Sequence, residues 1–290
     1  MILTSNAWKD YELIDAGNGE RLERWGQYIL RRPDPQIIWP ATLDQKTWQK
    51  VSAHFQKSTK GGGHWEYISK VPEHWKISYK NLNFYVKTMA FKHTGIFPEQ
   101  ASHWDWMISK IKSSNTPIKV LNLFAYTGAA TVACASAGAI VCHIDAAQGM
   151  VACAKENLVL SNLENAKVRF IVDDVIKFVQ REIRRGNTYQ AIIMDPPSYG
   201  RGPLGEVWQI EDKIFNLVKD CVKILSKDAI FFLINSYTTG FSPVVLKNIL
   251  SLTMGSSFKG NLSCGEVGIP TTSSSLIVPS GTFGKWEAIL

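Results

Sequence analysis

From residue 118 onward, short apolar runs alternate with stretches of helical period, and no other feature restricts the fold as strongly. The apolar runs cover residues 118–123, 140–144, 168–172, 191–194 and 229–234. Their length suits strands buried on both faces, and the intervening segments 129–136, 148–161, 175–184 and 209–225 carry helical spacing. Parallel strands need a crossover connection, so strict alternation of strand and helix predicts a parallel sheet wrapped by helices. Two further extended segments, 261–267 and 275–278, read as a hairpin that closes the sheet. The expected class is α/β: a doubly wound, mostly parallel, seven-stranded sheet.

The preceding region has a different character. Eight of the ten tryptophans (Trp8, Trp25, Trp39, Trp48, Trp65, Trp75, Trp104 and Trp106) lie before residue 107. Extended segments at 26–31, 65–69, 75–79 and 82–87 are separated by Pro, Asn and the Gly61-Gly62-Gly63 break, which predicts antiparallel hairpins with large loops. Residues 99–111 read as a helix, and the polar stretch 112–117 as a linker. Two regions follow: a smaller β-rich region over 1–112, expected to dock substrate, and a catalytic region over 113–290. Aromatics and lysines interleave across Trp65, Tyr67, Lys70, Trp75, Lys76, Tyr79, Lys80, Phe84, Tyr85 and Lys87. Such a pattern suits either a surface that stacks unpaired bases and binds phosphates, or a hairpin with aromatics inward and lysines solvated.

Composition narrows the partners. The 290 residues carry 32 Lys+Arg against 25 Asp+Glu, a formal charge of +7, which suits a polyanionic partner without requiring one. Hydrophobic residues at 45% and charged residues at 20% are ordinary for a globular protein, which excludes disordered and coiled-coil classes. The longest weakly polar run, residues 131–144, is interrupted by Ser136, Gly138 and His143 and falls short of the ~18 apolar residues of a membrane span. With no secretory pattern at the start, a cytoplasmic location is expected. The five cysteines contain no C-x-x-C pair and the histidines no metal-ligand spacing, so neither a disulfide framework nor a metal site is expected.

In an open α/β sheet, ligands bind outside the carboxyl ends of the strands, near the point where strand order reverses. The first strand runs into Phe124-Ala-Tyr126-Thr127-Gly128, a turn whose glycine permits close backbone approach. The second ends in Asp145, 24 residues after Leu121, where an acid accepts hydrogen bonds from ribose hydroxyls. The third ends in Asp173-Asp174-Val175, offering a carboxylate to an exocyclic amine and a backbone N–H to a ring nitrogen. The fourth ends in Asp195-Pro196-Pro197-Ser198-Tyr199, where two prolines set the backbone and leave Asp195 and nearby carbonyls aimed at an amine or a ligand charge. Singly, each has a bland reading as a helix cap, a turn or a strand stop. Together, on four consecutive strand ends, they point to a nucleoside-bearing cofactor.

The strings Leu121-Asn-Leu-Phe-Ala-Tyr-Thr-Gly128 and Met194-Asp-Pro-Pro-Ser-Tyr199 resemble those of class I S-adenosylmethionine-dependent methyltransferases, and among them the large-subunit ribosomal RNA methyltransferases. Phe97-Pro-Glu-Gln100, Gly200-Arg-Gly-Pro-Leu-Gly-Glu-Val-Trp208 and Gly265-Glu-Val-Gly-Ile-Pro270 resemble one branch of that family, and the likeness covers residues 90–287. The resemblance implies a Rossmann-like methyltransferase sheet and S-adenosyl-L-methionine as cofactor. It implies that Phe124, Tyr126, Thr127 and Gly128 wrap the methionine part, Asp145 holds the ribose, and Asp174 with the Val175 backbone reads the adenine. Asp195 would face the methionine ammonium and the acceptor, and Gln100 would contact the cofactor. Two departures stand out: the first turn lacks repeated glycines, and Ala147 stands where Ser or Thr often follows the ribose acid.

The expected activity is methyl transfer to a base nitrogen of RNA, ribosomal RNA foremost. Asp195 and the Pro196 carbonyl would orient the acceptor, the Pro196-Pro197 pair would shape the loop, and Tyr199 would stack on a base. Enzymes that methylate pyrimidine C5 use a cysteine thiolate, and the related branch carries one after the fifth strand, where this chain reads Asn235-Ser236-Tyr237. The competing readings are a methyltransferase of a protein amide or a DNA amine, and a cofactor-binding ribosome assembly factor without turnover.

Overall fold

The computed structural model describes all residues except 59–61, 90–91, 203–204 and 290, and only the backbone of Ser256. Gly61 of the glycine break and Pro203 and Leu204 of the 200–208 string lie outside the described residues. The chain divides into two compact units, Thr4–Ser102 with Gly268–Pro279, and Met1–Leu3 with His103–Val267 and Ser280–Leu290. The division falls at 102/103, ten residues before the boundary expected at 112/113, and a loop from the C-terminal hairpin joins the first unit.

After a short strand β1 (Ile2–Thr4), the first unit contains β2 (Tyr11–Gly17), β3 (Glu20–Trp25), β4 (Tyr28–Pro33), helix α1 (Gln45–Gln49), β5 (Ala53–Lys57) and β6 (Gly63–Tyr67). These strands form one sheet in the order β2-β3-β4-β5-β6. The β2–β3 turn is Asn18-Gly19 with φ of 53° and 81°, the paired positive dihedrals of a type I′ hairpin. Asp15, fully buried in β2, accepts from the N–H groups of Ala16, Thr42 and Leu43, the hydroxyls of Thr42 and Ser273, and the Trp48 indole, at 2.7–3.1 Å. These donors hold its pKa down at about 2 against the cost of burial. A separate hairpin, β7 (Trp75–Tyr79) and β8 (Leu82–Val86), buries Trp75, Ile77, Tyr79, Leu82, Phe84 and Val86 and turns Lys76, Lys80 and Tyr85 outward.

The second unit begins within α2 (Ala101–Lys112) and then alternates as expected: β9 (Lys119–Leu123), α3 (Ala129–Ser136), β10 (Ile140–Asp145), α4 (Gln148–Leu160), β11 (Val168–Val172), α5 (Val175–Arg185) and β12 (Ala191–Met194). A small hairpin follows, β13 (Tyr199–Arg201) and β14 (Val207–Gln209). Next come α6 (Ile210–Lys223), β15 (Phe231–Ser236), α7 (Pro243–Met254), and the long strands β16 (Gly260–Pro270) and β17 (Ile277–Ala288). The sheet order is β1-β16-β17-β15-β12-β9-β10-β11, with β17 antiparallel to β15 and β9 through β12 and β15 parallel. It has eight strands rather than seven, because β1 adds to the β16 edge, where Glu266 N–H donates to Met1 O at 2.9 Å. Gly265 makes room for that edge: a Cβ there would stand 2.2 Å from Met1 O. Helix α7 was not read from sequence, although Ser242 caps it and Pro243 opens it. Among the described residues no helix is long and apolar enough to cross a membrane.

Candidate active site at the strand ends

The chain runs from β9 through β10 to β11 on one side and returns through β12 on the other, so strand order reverses between β9 and β12. Leu123, last in β9, pairs with Ile144 and with Met194, so three strand ends are level. The residues that follow them converge. Ala125 N–H donates to Ile144 O at 3.0 Å, Asp173 N–H to Asp145 O at 3.1 Å, and Asp195 N–H to Leu123 O at 3.4 Å.

The turn after β9 is strained in an alternating pattern, with φ of 53° at Phe124, 50° at Tyr126 and 81° at Gly128. Non-glycine residues hold such dihedrals only where their surroundings over-determine them. Here Tyr126 N–H donates to Asp145 Oδ2 at 2.8 Å, and the buried Asn157 amide of α4 donates to the Thr127 carbonyl at 2.9 Å. On α3, buried Thr131 accepts from Asn122 Nδ2 and meets His143 Nδ1, each at 2.9 Å. Gly128 is required by the protein itself: a Cβ there would stand 2.6 Å from the Ala154 Cβ of α4. Its expected approach to the cofactor remains a proposal.

Asp145 is half-buried, and its other oxygen accepts from Ala147 N–H at 2.9 Å. Burial raises its pKa above the usual carboxylate value, while the Ala147 and Tyr126 N–H groups pull the other way. No cation pairs with it among the described residues, so its remaining lone pairs stay available to hydroxyl donors. Ala147 therefore serves through its backbone, where a hydroxyl side chain is absent. At the next strand end the carboxylates divide their work. Asp173 accepts Asp174 N–H and pairs with Arg181, so it is taken up by the protein. Asp174 caps α5 through one oxygen, accepting from Lys177 N–H at 2.9 Å, and Val175 N–H begins that helix among the donors a helix start leaves without an intrahelical partner.

Asp195 and Pro196 follow β12, with Pro197, Ser198 and Tyr199 exposed beyond them. The loop is braced at several points. Ser198 and Thr238 hydroxyls meet at 2.8 Å, Ile210 N–H donates to Ser198 O at 3.1 Å, and Trp208 Nε1 donates to Pro197 O at 2.6 Å. No sequence signal singles out Trp208, whose ring packs 4.8 Å from that of Phe124. Gln100 closes a buried 3-10 turn, Pro98–Gln100, in the other compact unit, and its cofactor role remains a proposal.

The match to a family model described as S-adenosylmethionine-dependent methyltransferase covers residues 29–229, more than half of the chain. The chain belongs to this family. A crystal structure of the S-adenosylmethionine-dependent methyltransferase from Agrobacterium tumefaciens superposes with a TM-score of 0.95 at 37% identity, covering 100% of this chain and 94% of that one. A methyltransferase-class structure from Streptococcus mutans gives a TM-score of 0.76 at 20% identity, covering 98% and 76%, a likeness of fold alone. Ribosomal RNA large subunit methyltransferase K of Neisseria meningitidis is 23% identical over 229 residues, 76% of this chain and 64% of that protein. The chain thus spans less than two thirds of that relative's length. The family's cofactor is S-adenosylmethionine, and the residues fit it: the uncompensated Asp145 carboxylate suits a ribose diol, and Asp174 with Val175 N–H suits an adenine edge.

Proposed function

We propose that this chain methylates a base nitrogen of RNA, ribosomal RNA foremost, with S-adenosylmethionine as donor. The observation that carries the reading is the adjacency of the Asp195 loop to the turn supported by Asp145, tied by the contact between Asp195 N–H and Leu123 O at 3.4 Å. When bound, the cofactor supplies an electrophilic methyl group to a lone pair. The Asp145 carboxylate holds the ribose; Phe124, Tyr126, Thr127 and Gly128 hold the methionine part; Asp174 and Val175 N–H hold the adenine. The Asp195 carboxylate and Pro196 carbonyl accept the N–H groups of the acceptor base and turn its lone pair toward the methyl, while Asp195 stands to receive a shed proton. Tyr199, 54% exposed, offers a ring face for stacking. Such transfer depends on placement more than on acid–base chemistry.

The nitrogen assignment is supported by where the cysteines sit. Cys134, Cys142 and Cys221 are buried, and burial raises their thiol pKa, that of Cys142 to about 11. Cys264 lies on β16, three strands from β12 in the sheet, or about 14 Å at the usual strand spacing. RNA is the acceptor class because the N. meningitidis relative bears a ribosomal RNA methyltransferase name. The β7–β8 hairpin supplies the docking surface. Its inner aromatics are core, but its outer face sets Lys76 opposite Tyr85, with His74 edge-on to Tyr85 at 4.9 Å and half-buried Lys87 two residues on. That face offers cations to phosphates and a ring to a base. The test is mass spectrometry of ribosomal RNA nucleosides from cells with and without this chain. Loss of one N-methyl nucleoside supports the reading, and an unchanged RNA profile with a missing protein or DNA methyl mark overturns it.

A further inference from the structure

The two prolines after Asp195 supply no N–H, so this stretch of backbone can be held only through its carbonyls, among them that of the exposed Pro197. Trp208 meets it. The indole is 8% exposed, and its one polar atom, a donor, points at Pro197 O across 2.6 Å. The same ring lies 4.8 Å from the Phe124 ring at an interplanar angle of 57°. Phe124 holds a φ of 53°, a conformation that packing must maintain, so its ring contact is part of what keeps the turn in shape. Trp208 is itself fixed: it pairs with Gly200 across the β13–β14 hairpin, and Lys177 of α5 pairs with Glu206 just before β14.

We propose that Trp208 is a positioning residue for methyl transfer: one indole braces both the turn that carries the cofactor and the loop that carries Asp195, and so sets the gap between donor and acceptor. The inference rests on the reading of the Asp195 loop as the acceptor site. Transfer rates are steep in this gap, because a misplacement of about 1 Å costs on the order of 100-fold. Neither Trp208 nor Phe124 needs to touch the acceptor for this role.

The test compares Trp208→Phe, which keeps a ring against Phe124 and loses the donor, with Trp208→Ala, which loses both. In Trp208→Phe, S-adenosylmethionine affinity by calorimetry and KM for RNA are expected to stay within about twofold. Turnover at saturation is expected to fall about 2- to 10-fold, the range that one lost hydrogen bond supports. Hydrogen exchange of amides 198–201 in the cofactor-free protein is expected to speed up, with the melting temperature held. Trp208→Ala is expected to lose cofactor affinity as well. Wild-type turnover and unchanged exchange in Trp208→Phe overturn the proposal. Asp195→Ala separates the two layers: if it keeps wild-type turnover, the acceptor-site reading is wrong, and if it is inactive while Trp208→Phe is unaffected, only the role of Trp208 is wrong.

Discussion

Tyr126 N–H donates to Asp145 Oδ2 at 2.8 Å, so the acid at the end of β10 shapes the turn at the end of β9. A carboxylate expected only to hold a ribose also organises the neighbouring turn. Its second oxygen is engaged in the same way by Ala147 N–H. Asp145→Ala should therefore remove a ligand acceptor and leave two backbone donors unpaired. The expected loss of S-adenosylmethionine affinity is on the order of 1–3 kcal/mol, about 5- to 150-fold by calorimetry. Unchanged affinity would remove Asp145 from the site.

RNA binding should weaken steeply with salt if the outer face of the β7–β8 hairpin takes phosphates. Lys76 and Lys87 are the pair to change, because Lys80 leans over the Tyr79 ring at 5.4 Å. Replacing both with Gln should flatten the log–log salt slope by about 1.4, given about 0.7 per single-strand contact. An unaltered slope would return this face to a solvated surface.

RNA carrying 5-fluorocytosine should form no covalent adduct with the protein. Such trapping needs a thiolate beside the acceptor, and Cys264 is three strands from Asp195. Denaturing electrophoresis with labelled cofactor gives the answer, and an adduct lost in Cys264→Ala would shift the acceptor atom to carbon.

Acid should destabilise the fold from about pH 6.5 downward. His103 and His143 are buried, and burial pushes both to about 3, so the folded chain stays unprotonated where the unfolded chain takes up protons. Their contribution is complete above the unfolded value near 6.5 and is lost as pH falls toward 3, at about 1.4 kcal/mol per pH unit for each histidine. Among the described residues neither ring nitrogen of His103 has a hydrogen-bond partner, and the ring packs edge-on to Phe283 at 4.9 Å. His103→Phe should flatten the pH dependence of chemical denaturation by one such slope, and a slope equal to wild type would refute it.

Asp15→Ala should unfold the N-terminal sheet well before the rest of the chain. The substitution strands the donors of Ala16, Thr42, Leu43, Trp48 and Ser273 in or near the core. Several orphaned donors at about 1–3 kcal/mol each exceed what a surface change costs. Limited proteolysis within Thr4–Ser102 measures the effect, and wild-type resistance would contradict it.

The parallel sheet is legible because its information is local: β9 through β12 are short, mostly apolar runs, and each helix between them has its own period. The acids at the strand ends were legible for the same reason, since a crossover topology delivers every carboxyl end to one edge. In the N-terminal unit, β2 and β3 went unread although Asn18-Gly19 announces their turn, because charged Asp15 and Glu23 interrupt the apolar alternation. Asp15 is buried against partners remote in sequence, such as Ser273, and Glu23 against Arg32 across the β3–β4 hairpin. Strand β1 was invisible because three residues carry no period, and only the β16 edge gives them a ladder. The roles of Gly128 and Trp208 were likewise decided by tertiary contact. Ala154 forbids a Cβ at the first, and Phe124 with Pro197 employs the second. Sequence alone determined which strands end in which chemistry, through local periodicity and strand order. Tertiary structure decided which groups remain free for a ligand and which are consumed by the fold, because burial and partnership depend on residues far apart in the chain.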